Sequence, residues 1–291
     1  MNSNDRSYYT KALGEASNSA MRRFRISPED YLDYMTGDDK PSTPPMRVGT
    51  ALHMALHEPE RFSARYMAVP SMPLKSQDNR RDFLNCVHDI TGVPVVDNGA
   101  NAEGLREHVH ATLAASGVWI LTEKEFADIH GMIASLNKPH NAMARGIVAR
   151  GVKELELRWT DPASGIACKA LLDSWDEEHR LLSDVKRTES ISEREFRNSC
   201  YGFGYHHQLA FYRRGLRAKG FEVDYSCFTC GSPVGRVYPW AIYDFEPEIL
   251  DACDERMSRD LDALAQCVAT NKWPPLNCGE PRTVHMNVEY I

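Results

Sequence analysis

The stretch IACKALLDSWDEEHRLLSDVKRT, residues 166–188, has the pattern of a β-hairpin with acidic residues on two neighbouring strands. The first strand leads to Asp173, a polar turn over 175–180 reverses the chain, and Asp184 and Lys186 share one face of the second strand. Two carboxylates and one ammonium group on adjacent strands can bind a divalent metal ion and position a water molecule beside it. Such residues near strand ends are also common as a solvated surface, so the rest of the chain has to discriminate between the two interpretations.

Composition is that of an ordinary globular protein. The chain has 291 residues, of which 42% are hydrophobic and 26% are charged, and this length allows one large domain or two. No apolar run approaches the roughly 18 residues that a membrane span needs, and the polar N-terminus lacks the apolar core of a signal peptide. We therefore expect a cytoplasmic protein.

Charge is unevenly distributed along the chain. The formal net charge of −7 argues against a protein coated with basic residues for non-specific nucleic-acid binding. The segment 186–220 is the exception, because it holds eight Lys or Arg and three Glu and so carries a local net charge of +5. A basic segment directly after a pair of carboxylates suits a phosphodiester substrate, although a solvated helix face would give the same pattern.

Periodicity divides the chain into a mainly helical first half and a second half with strands. Helical spacing and capping residues predict helices over 27–36, 51–56, 101–115, 122–137, 192–199, 205–216 and 246–269. Strand patterns occupy 153–159, the hairpin, 223–229, 236–243 and an edge at 283–290. The charged segment 70–82 is predicted to be a loop. These elements predict an α/β or α+β fold with a small mixed sheet flanked by helices.

The absence of a Pro/Gly-rich linker favours one compact domain. We predict a polar N-terminal arm over 1–26 and a single domain over 27–291. Within that domain, 27–145 is expected to be mainly helical, and 146–291 is expected to hold the sheet and its helices.

The strand before the hairpin supplies a further candidate metal ligand. Residues 153–159 alternate strictly, which places Glu154, Glu156 and Arg158 on one face. Either glutamate could join Asp173 and Asp184, because the strand runs next to the hairpin. Their shared parity does not discriminate between them.

The helix that follows the hairpin carries polar side chains along one face. Tyr205, Gln208 and Tyr212 stand at i, i+3 and i+7. Glutamine can bond a phosphate or a metal-bound water, and tyrosine can stack on or bond to a sugar-phosphate backbone. A stripe of partly buried aromatic residues is the alternative. The same helix carries three arginines that apolar packing does not require: Arg213, Arg214 and Arg217.

Two histidines lie one helical turn apart near the N-terminus. His53 and His57 occupy i and i+4, but the glutamate of a His-Glu-x-x-His zinc site is missing. Packing or solvent exposure explains His57 better than metal binding does. His53 lies in the small-residue helix Gly49-Thr-Ala-Leu-His53 and is the stronger candidate.

Cysteine usage predicts reduced, structural thiols. Of eight cysteines, only Cys227 and Cys230 have ligand-like spacing, and there is no matching second pair. An iron–sulfur cluster needs four ligands, so these two would have to recruit distant partners.

Taken in order along the chain, these motifs carry a resemblance to a known family. Asp173 followed by Asp184-Val-Lys186 is similar to the core motif of the PD-(D/E)xK nuclease superfamily. The segment Gln208-Leu-Ala-Phe-Tyr212 resembles the Gln-x-x-x-Tyr signature of its exonuclease branch. Gly49–His53 and Glu58-Pro-Glu-Arg-Phe62 resemble the N-terminal motif of the RecE (exonuclease VIII) group of phages and prophages, and 159–169 resembles that group's approach to the first aspartate.

The resemblance implies a restriction-endonuclease-like core and a metal-dependent 5′→3′ exonuclease that digests double-stranded DNA and leaves a 3′ single strand for recombination. It implies Mg²⁺, or Mn²⁺, as the cofactor. The metal ligands carried over are Asp173, Asp184, His53 and Glu154, which matches the family's strand glutamate better than Glu156. Lys186 is carried over as the residue that assists hydrolysis, and Asp173, Asp184 and His53 also count as catalytic. The expected DNA contacts are Gln208, Tyr212, Tyr205, Arg187 and Arg213.

Relatives form rings that thread DNA and act with a single-strand annealing protein, so a homo-oligomeric ring, such a partner and double-stranded DNA ends are expected here. A phage-encoded protein would act in the host cytoplasm. Two alternatives remain open at this point. One is an iron–sulfur nuclease of the helicase- or CRISPR-associated kind that uses Cys227 and Cys230. The other is a catalytically inert DNA-binding or assembly protein with the same fold.

Overall fold

The computed structural model describes residues 13–37 and 43–276. The first half contains α1 (Asn18–Phe24), α2 (Pro28–Thr36), α3 (Pro44–His57), α4 (Pro59–Arg65), β1 (Tyr66–Val69), α5 (Gln77–Thr91), α6 (Ala102–Ala115), β2 (Trp119–Thr122), α7 (Glu123–Leu136), a 3₁₀ turn (Pro139–Asn141) and α8 (Ala142–Ala149). The second half contains β3 (Val152–Thr160), β4 (Ala167–Asp176), β5 (Leu181–Arg187), α9 (Glu193–Phe203), α10 (Tyr205–Ala218), β6 (Tyr225–Gly231), β7 (Trp240–Asp244) and α11 (Pro247–Thr270).

Five strands form one mixed sheet in the order β3-β4-β5-β6-β7. The first three strands make the expected antiparallel meander, β6 then pairs parallel to β5, and β7 returns antiparallel to β6. Helices α9 and α10 make the crossover that the parallel pair requires. The predicted α/β or α+β class with a small mixed sheet is confirmed.

Helices cover both faces of this sheet. On one face, Leu172 and Leu182 pack in a core with Met21 of α1, Phe211 of α10 and Leu261 of α11. The other face presents Val185 to a second core that contains residues of α3, α7 and α8. A third, smaller core joins α5 and α6 to β1 and β2. The hairpin of the central sheet is thus held between α10 on one side and α3 on the other.

Two glycines position α10. Gly204 adopts a left-handed conformation with φ of 73°, which ends α9 and starts α10 without an intervening loop. Gly215 lies so close to β3 that a Cβ there would sit 2.8 Å from the Trp159 ring. These two features bring the polar face of α10 against the sheet.

We predicted a polar N-terminal arm over 1–26, and this prediction is wrong for 13–26, the part of the arm that the structure describes. Residues 13–26 include α1, which Ser17 caps and which buries Met21 and Phe24 in the main core. Ala16 also forms an isolated bridge with Cys168 of β4. The beginning of the expected arm, 1–12, lies outside the described residues.

The segment 70–82 is also not wholly a loop, because α5 begins at Gln77. Strands β1 and β2, which form a separate parallel pair, were not predicted. The expected edge strand at 283–290 lies outside the described residues. Within the described ranges, we find no helix that combines the length and apolarity needed to cross a membrane.

Candidate active site

The candidate site lies where β4 and β5 separate. These strands pair only through Ser174, Trp175 and Asp176 of β4. The sequence had suggested that β4 ends at Asp173, but the strand continues for three more residues, to Asp176. The next pair in register would be Asp173 with Asp184, and there the ladder stops. The alternation of β4 also breaks here, since Leu172 and Trp175 both belong to the same core. The two aspartates therefore flank an open split in the sheet.

Side chains occupy the hydrogen-bonding groups that this split leaves free on β5. The backbone N–H of Val185 donates to Oδ2 of Asp173 at 2.8 Å, and the Val185 carbonyl lies 2.9 Å from Nε2 of His53. A carbonyl can only accept, so His53 donates through Nε2. One residue of β5 thereby fixes two of the predicted metal ligands, one from β4 and one from α3.

The second ring nitrogen of His53 faces carboxylates. Its Nδ1 lies 3.4 Å from Oδ2 of Asp173, and donor atoms of His53, Glu154 and Asp173 all lie within 4.8 Å of one another. Burial lowers the pKa of His53, so the ring is neutral and Nδ1 presents a lone pair. A lone pair beside carboxylate oxygens suits a shared cation. A metal-binding histidine that donates its other N–H to a backbone carbonyl is a recurring arrangement.

Glu154 reaches this cluster through an unusual backbone conformation. Its φ is 51°. Glu154 lies opposite Asp173 in the β3–β4 ladder, but these two residues are not paired, although the residues before and after them pair in one continuous register. A left-handed glutamate costs free energy, and residues in such conformations cluster at active sites. Glu156, the alternative of equal parity, instead bonds Arg158 at 2.6 Å. The structure thus brings Glu154 and not Glu156 to the site.

Asp184 lies on the opposite side of the split and is 1% exposed. Its Oδ1 accepts from Nε2 of Gln208 at 2.7 Å, and its Oδ2 pairs with the ammonium group of Lys186. Nε2 of Gln208 also lies 2.9 Å from the Tyr212 hydroxyl, to which it donates. The polar face predicted for α10 is therefore directed at the second aspartate of the hairpin.

Close approach and burial shift the pKa values of the carboxylates in this cluster. Burial raises the pKa of Asp173 and of Asp184 to about 6, with a further rise from the nearby Glu154 carboxylate at Asp173 and from Asp173 at Asp184. Burial alone would lower the pKa of Lys186, but the adjacent Asp184 and Asp173 raise it above its usual value. Lys186 is thus a fixed ammonium group. Burial also raises the pKa of Glu154. A divalent ion would relieve the repulsion among these carboxylates.

Aromatic rings hold Lys186 in place. Its Nζ lies 5.3 Å from the ring centre of Tyr205 and 5.5 Å from that of Phe228. Tyr205 was expected to contact DNA, and the structure adds this positioning contact. Phe228 was not identified from the sequence, because a buried phenylalanine in β6 looks like any other core residue.

The site opens into two grooves that share Gly49, His53 and Leu171. The lysine groove, about 820 Å³, is further lined by Lys186, Arg187, Gln208 and Tyr212. The carboxylate groove, about 510 Å³, is further lined by Glu58, Arg61, Glu154 and Asp173. His53 therefore faces both grooves, the one that holds the fixed ammonium group and the one that holds Glu154 and Asp173.

Two arginines of α10 line neither groove, so the DNA contact predicted for Arg213 finds no support in the geometry. Arg213 does not line either groove and lies 3.9 Å from Asp251 of α11. Arg214 bonds Asp161 at 2.7 Å and Asp254 at 3.0 Å, which makes it a packing contact between elements. Arg187 does line the lysine groove, where it also pairs with Glu189 at 2.8 Å.

The remaining candidates are not brought to the site. His57 lies next to His53, with ring centres 6.0 Å apart, but it is absent from the donor cluster. Cys227 and Cys230 are both buried, yet they belong to different cores on opposite faces of β6. Among the described residues no metal-type cluster contains either cysteine. This arrangement removes the basis for an iron–sulfur site built on that pair.

The fold and the arrangement of Asp173, Asp184 and Lys186 define a protein of the PD-(D/E)xK class. In agreement, residues 17–286 match the family described as PDDEXK-like domain of unknown function (DUF3799), and the chain belongs to that family. Comparison with curated proteins gives no match.

Comparison with solved structures identifies a protein from Eubacterium rectale, described as a "putative exonuclease". The TM-score is 0.58 at 13% sequence identity, and the similarity covers 100% of this chain and 97% of that one. At such low identity the similarity establishes a shared fold. The expectation of a PD-(D/E)xK fold is confirmed.

Proposed function

We propose that this chain is a metal-dependent exodeoxyribonuclease that hydrolyses linear double-stranded DNA from its 5′ ends and leaves 3′ single-stranded tails for recombination. The observation that carries the nuclease assignment is the donor cluster of His53, Glu154 and Asp173, with Asp184 and Lys186 beside it on β5. The 5′→3′ polarity and the double-stranded substrate rest on the motif resemblance to the RecE group.

The donor set fits a hard divalent cation. His53, Glu154, Asp173 and Asp184 would hold it, and because three of these four residues are carboxylates, the set favours Mg²⁺ or Mn²⁺ over softer ions. When bound, such an ion neutralises phosphoryl charge and lowers the pKa of a coordinated water. The raised pKa values of about 6 at both aspartates agree with a site built around a cation.

Three side chains would position the metal ligands and stabilise the reacting phosphate: Lys186, Gln208 and His53. Lys186 remains protonated because Asp184 is paired with it, so it donates to a phosphoryl oxygen or orients the attacking water and does not accept the water's proton. Gln208 holds Asp184 in position through its 2.7 Å bond. The Nε2–H bond of His53 to Val185 fixes the ring so that Nδ1 faces the carboxylates.

DNA would enter through the lysine groove, where Arg22, Lys169 and Arg187 supply positive charge for a phosphate backbone. Gln208, Tyr212 and Tyr205 line the same groove, but two of them already serve Asp184 and Lys186. We propose DNA ends as the substrate, with a ring of identical chains and a single-strand annealing protein as partners. If the protein is phage-encoded, it would act in the host cytoplasm.

The competing hypotheses differ in what they require of the site. An iron–sulfur nuclease would require Cys227 and Cys230 on one side of β6, which is not their arrangement. An inert DNA-binding protein would have no use for a left-handed Glu154 next to two buried aspartates with raised pKa values.

The test compares release of nucleotides from linear duplex DNA and from covalently closed circles, with Mg²⁺, with Mn²⁺ and with EDTA. The wild-type protein should degrade the linear form only, and only with a metal ion. Asp184→Asn should release nothing while melting as a folded protein. Absence of release by the wild-type protein with either ion would establish the inert DNA-binding alternative.

A further inference from the structure

A second cluster of metal-type side chains lies away from the active site, between the first turn of α10 and the second turn of α11. It consists of His206, His207 and Cys253, whose donor atoms all lie within 4.8 Å of one another. Cys253 is 6% exposed and is a free thiol. None of the three lines the lysine or the carboxylate groove.

Both histidine rings are neutral, which is the state that binds a metal ion. Burial lowers the pKa of both rings, to about 3 at His207, so each presents a neutral imidazole. Nδ1 of His207 is shielded from solvent and has no hydrogen-bond partner among the described residues. A buried nitrogen without a hydrogen-bond partner costs free energy. A metal ion that accepts its lone pair would offset this cost.

Neighbouring groups supply the surroundings that such a site needs. The backbone of Cys200 lies next to the His206 ring and partly offsets the lowering of its pKa by burial. Arg25 and Arg256 face the histidines, but both guanidinium groups are bound to Asp260, at 2.9 and 2.8 Å. The three residues line a groove of about 570 Å³ that also contains Asp244 and Glu246 and gives an entry path.

We propose that His206, His207 and Cys253 form a second metal site, one that takes a borderline ion of the Zn²⁺ type. Two imidazoles and a thiolate favour Zn²⁺ over Mg²⁺, which requires oxygen ligands, and the groove leaves the fourth position to water. The ion ties the first turn of α10 to α11. His207 directly precedes Gln208, so the tie secures the turn that supports Asp184.

The experiment uses the full chain stripped with EDTA, desalted, and titrated with Zn²⁺ against a chromophoric zinc indicator in excess Mg²⁺. The wild-type protein should bind one Zn²⁺ per chain that Mg²⁺ does not displace, and its melting temperature should rise. Cys253→Ala and His207→Gln should each lose at least about 100-fold in Zn²⁺ affinity, because each removes a ligand. Cys267→Ala, a matched buried cysteine on α11, should bind as the wild type does.

Cobalt provides a second readout that identifies the ligand. Co²⁺ should give a thiolate charge-transfer band in the wild type and in Cys267→Ala, and none in Cys253→Ala. If Cys253→Ala fails to fold, His206→Gln on the groove wall replaces it in the titration. Asp184→Asn should retain the site, which separates this result from the fate of the nuclease proposal. The proposal is overturned if the wild type binds no Zn²⁺ in excess Mg²⁺, or if the ligand variants bind it as tightly as Cys267→Ala.

Discussion

His53 of α3 reaches across the split in the sheet and donates from Nε2 to the backbone carbonyl of Val185 at 2.9 Å. This bond sets the tautomer of the ring and leaves Nδ1 as a lone pair beside Asp173. The N–H of the same Val185 donates to Asp173. A single residue of β5 thereby orients two donors from distant parts of the chain, and the predicted metal chemistry depends on this arrangement.

Replacing His53 should weaken metal binding more than it weakens folding. We expect His53→Gln to raise the half-saturating Mg²⁺ concentration of the nuclease reaction by about 10- to 100-fold, since a donor and its orienting bond are both lost. His57→Gln, one turn along α3 and outside the donor cluster, is the matched control. Equal Mg²⁺ dependence in the two variants would remove His53 from the metal site.

We expect Gln208 to support catalysis indirectly, by holding the Asp184 carboxylate in position. Gln208→Ala removes the 2.7 Å bond to Oδ1 and leaves a buried carboxylate oxygen without its donor. We expect a loss of about 10- to 100-fold in kcat or metal affinity at saturating DNA. Gln266→Ala on the exposed side of α11 controls for loss of a glutamine from a helix. If DNA affinity alone changed, Gln208 would be a substrate contact instead.

Removal of the Lys186 ammonium should separate catalysis from metal binding. Lys186→Met should lower the rate of hydrolysis by about 10²- to 10³-fold, the usual cost of losing one preorganised donor. Metal affinity should be retained or increased, because a cation beside Asp184 and Asp173 disappears. The rate is measured by single-turnover digestion and the affinity by the metal-induced shift in melting temperature. A parallel loss of both quantities would contradict the assigned role.

The raised pKa of Asp173 predicts how the metal-free protein responds to pH. The folded pKa of about 6 exceeds the unfolded value of roughly 3.9, so the folded state binds more protons between these values. The stability that the folded state gains from protonated Asp173 is fully present below the unfolded pKa and is lost as pH rises through the folded pKa of about 6. In EDTA, the wild type should therefore lose stability relative to Asp173→Asn between about pH 5 and 7.5, by on the order of 1 kcal/mol. Urea denaturation of both proteins at the two pH values measures the difference, and a constant difference would show that Asp173 does not titrate in this range.

The parts of the fold that the sequence predicted are those with strong periodicity or clear caps. The Thr122–Glu125 capping box marked the start of α7, and strict alternation marked β3. Helix α5 was missed because its apolar stripe is narrow, resting on Phe83 and Val87, while Ser76 and Gly92 were available as caps. The boundary at residue 26 failed because α1 buries few residues and owes its place to contacts far along the chain.

For the site, spacing identified Asp173, Asp184, Lys186 and Gln208, since strand and helix periods fix their faces. The choice between Glu154 and Glu156 depended on a left-handed backbone that parity does not encode. The partners of Arg213 and Arg214 are acidic residues more than 35 positions away in the chain, which a local charge pattern does not specify. Backbone groups such as those of Val185 carry no side-chain signature at all.

The central claim is tested most directly by digestion of one linear duplex labelled at either the 5′ or the 3′ end, with Mg²⁺ and with Asp184→Asn as the inactive control. We predict that the 5′ label is released first, that the 3′ label stays attached to a strand that shortens from its own 5′ end, and that the variant releases neither label. Early release of the 3′ label, or no release from either end, would contradict the proposed 5′→3′ exonuclease.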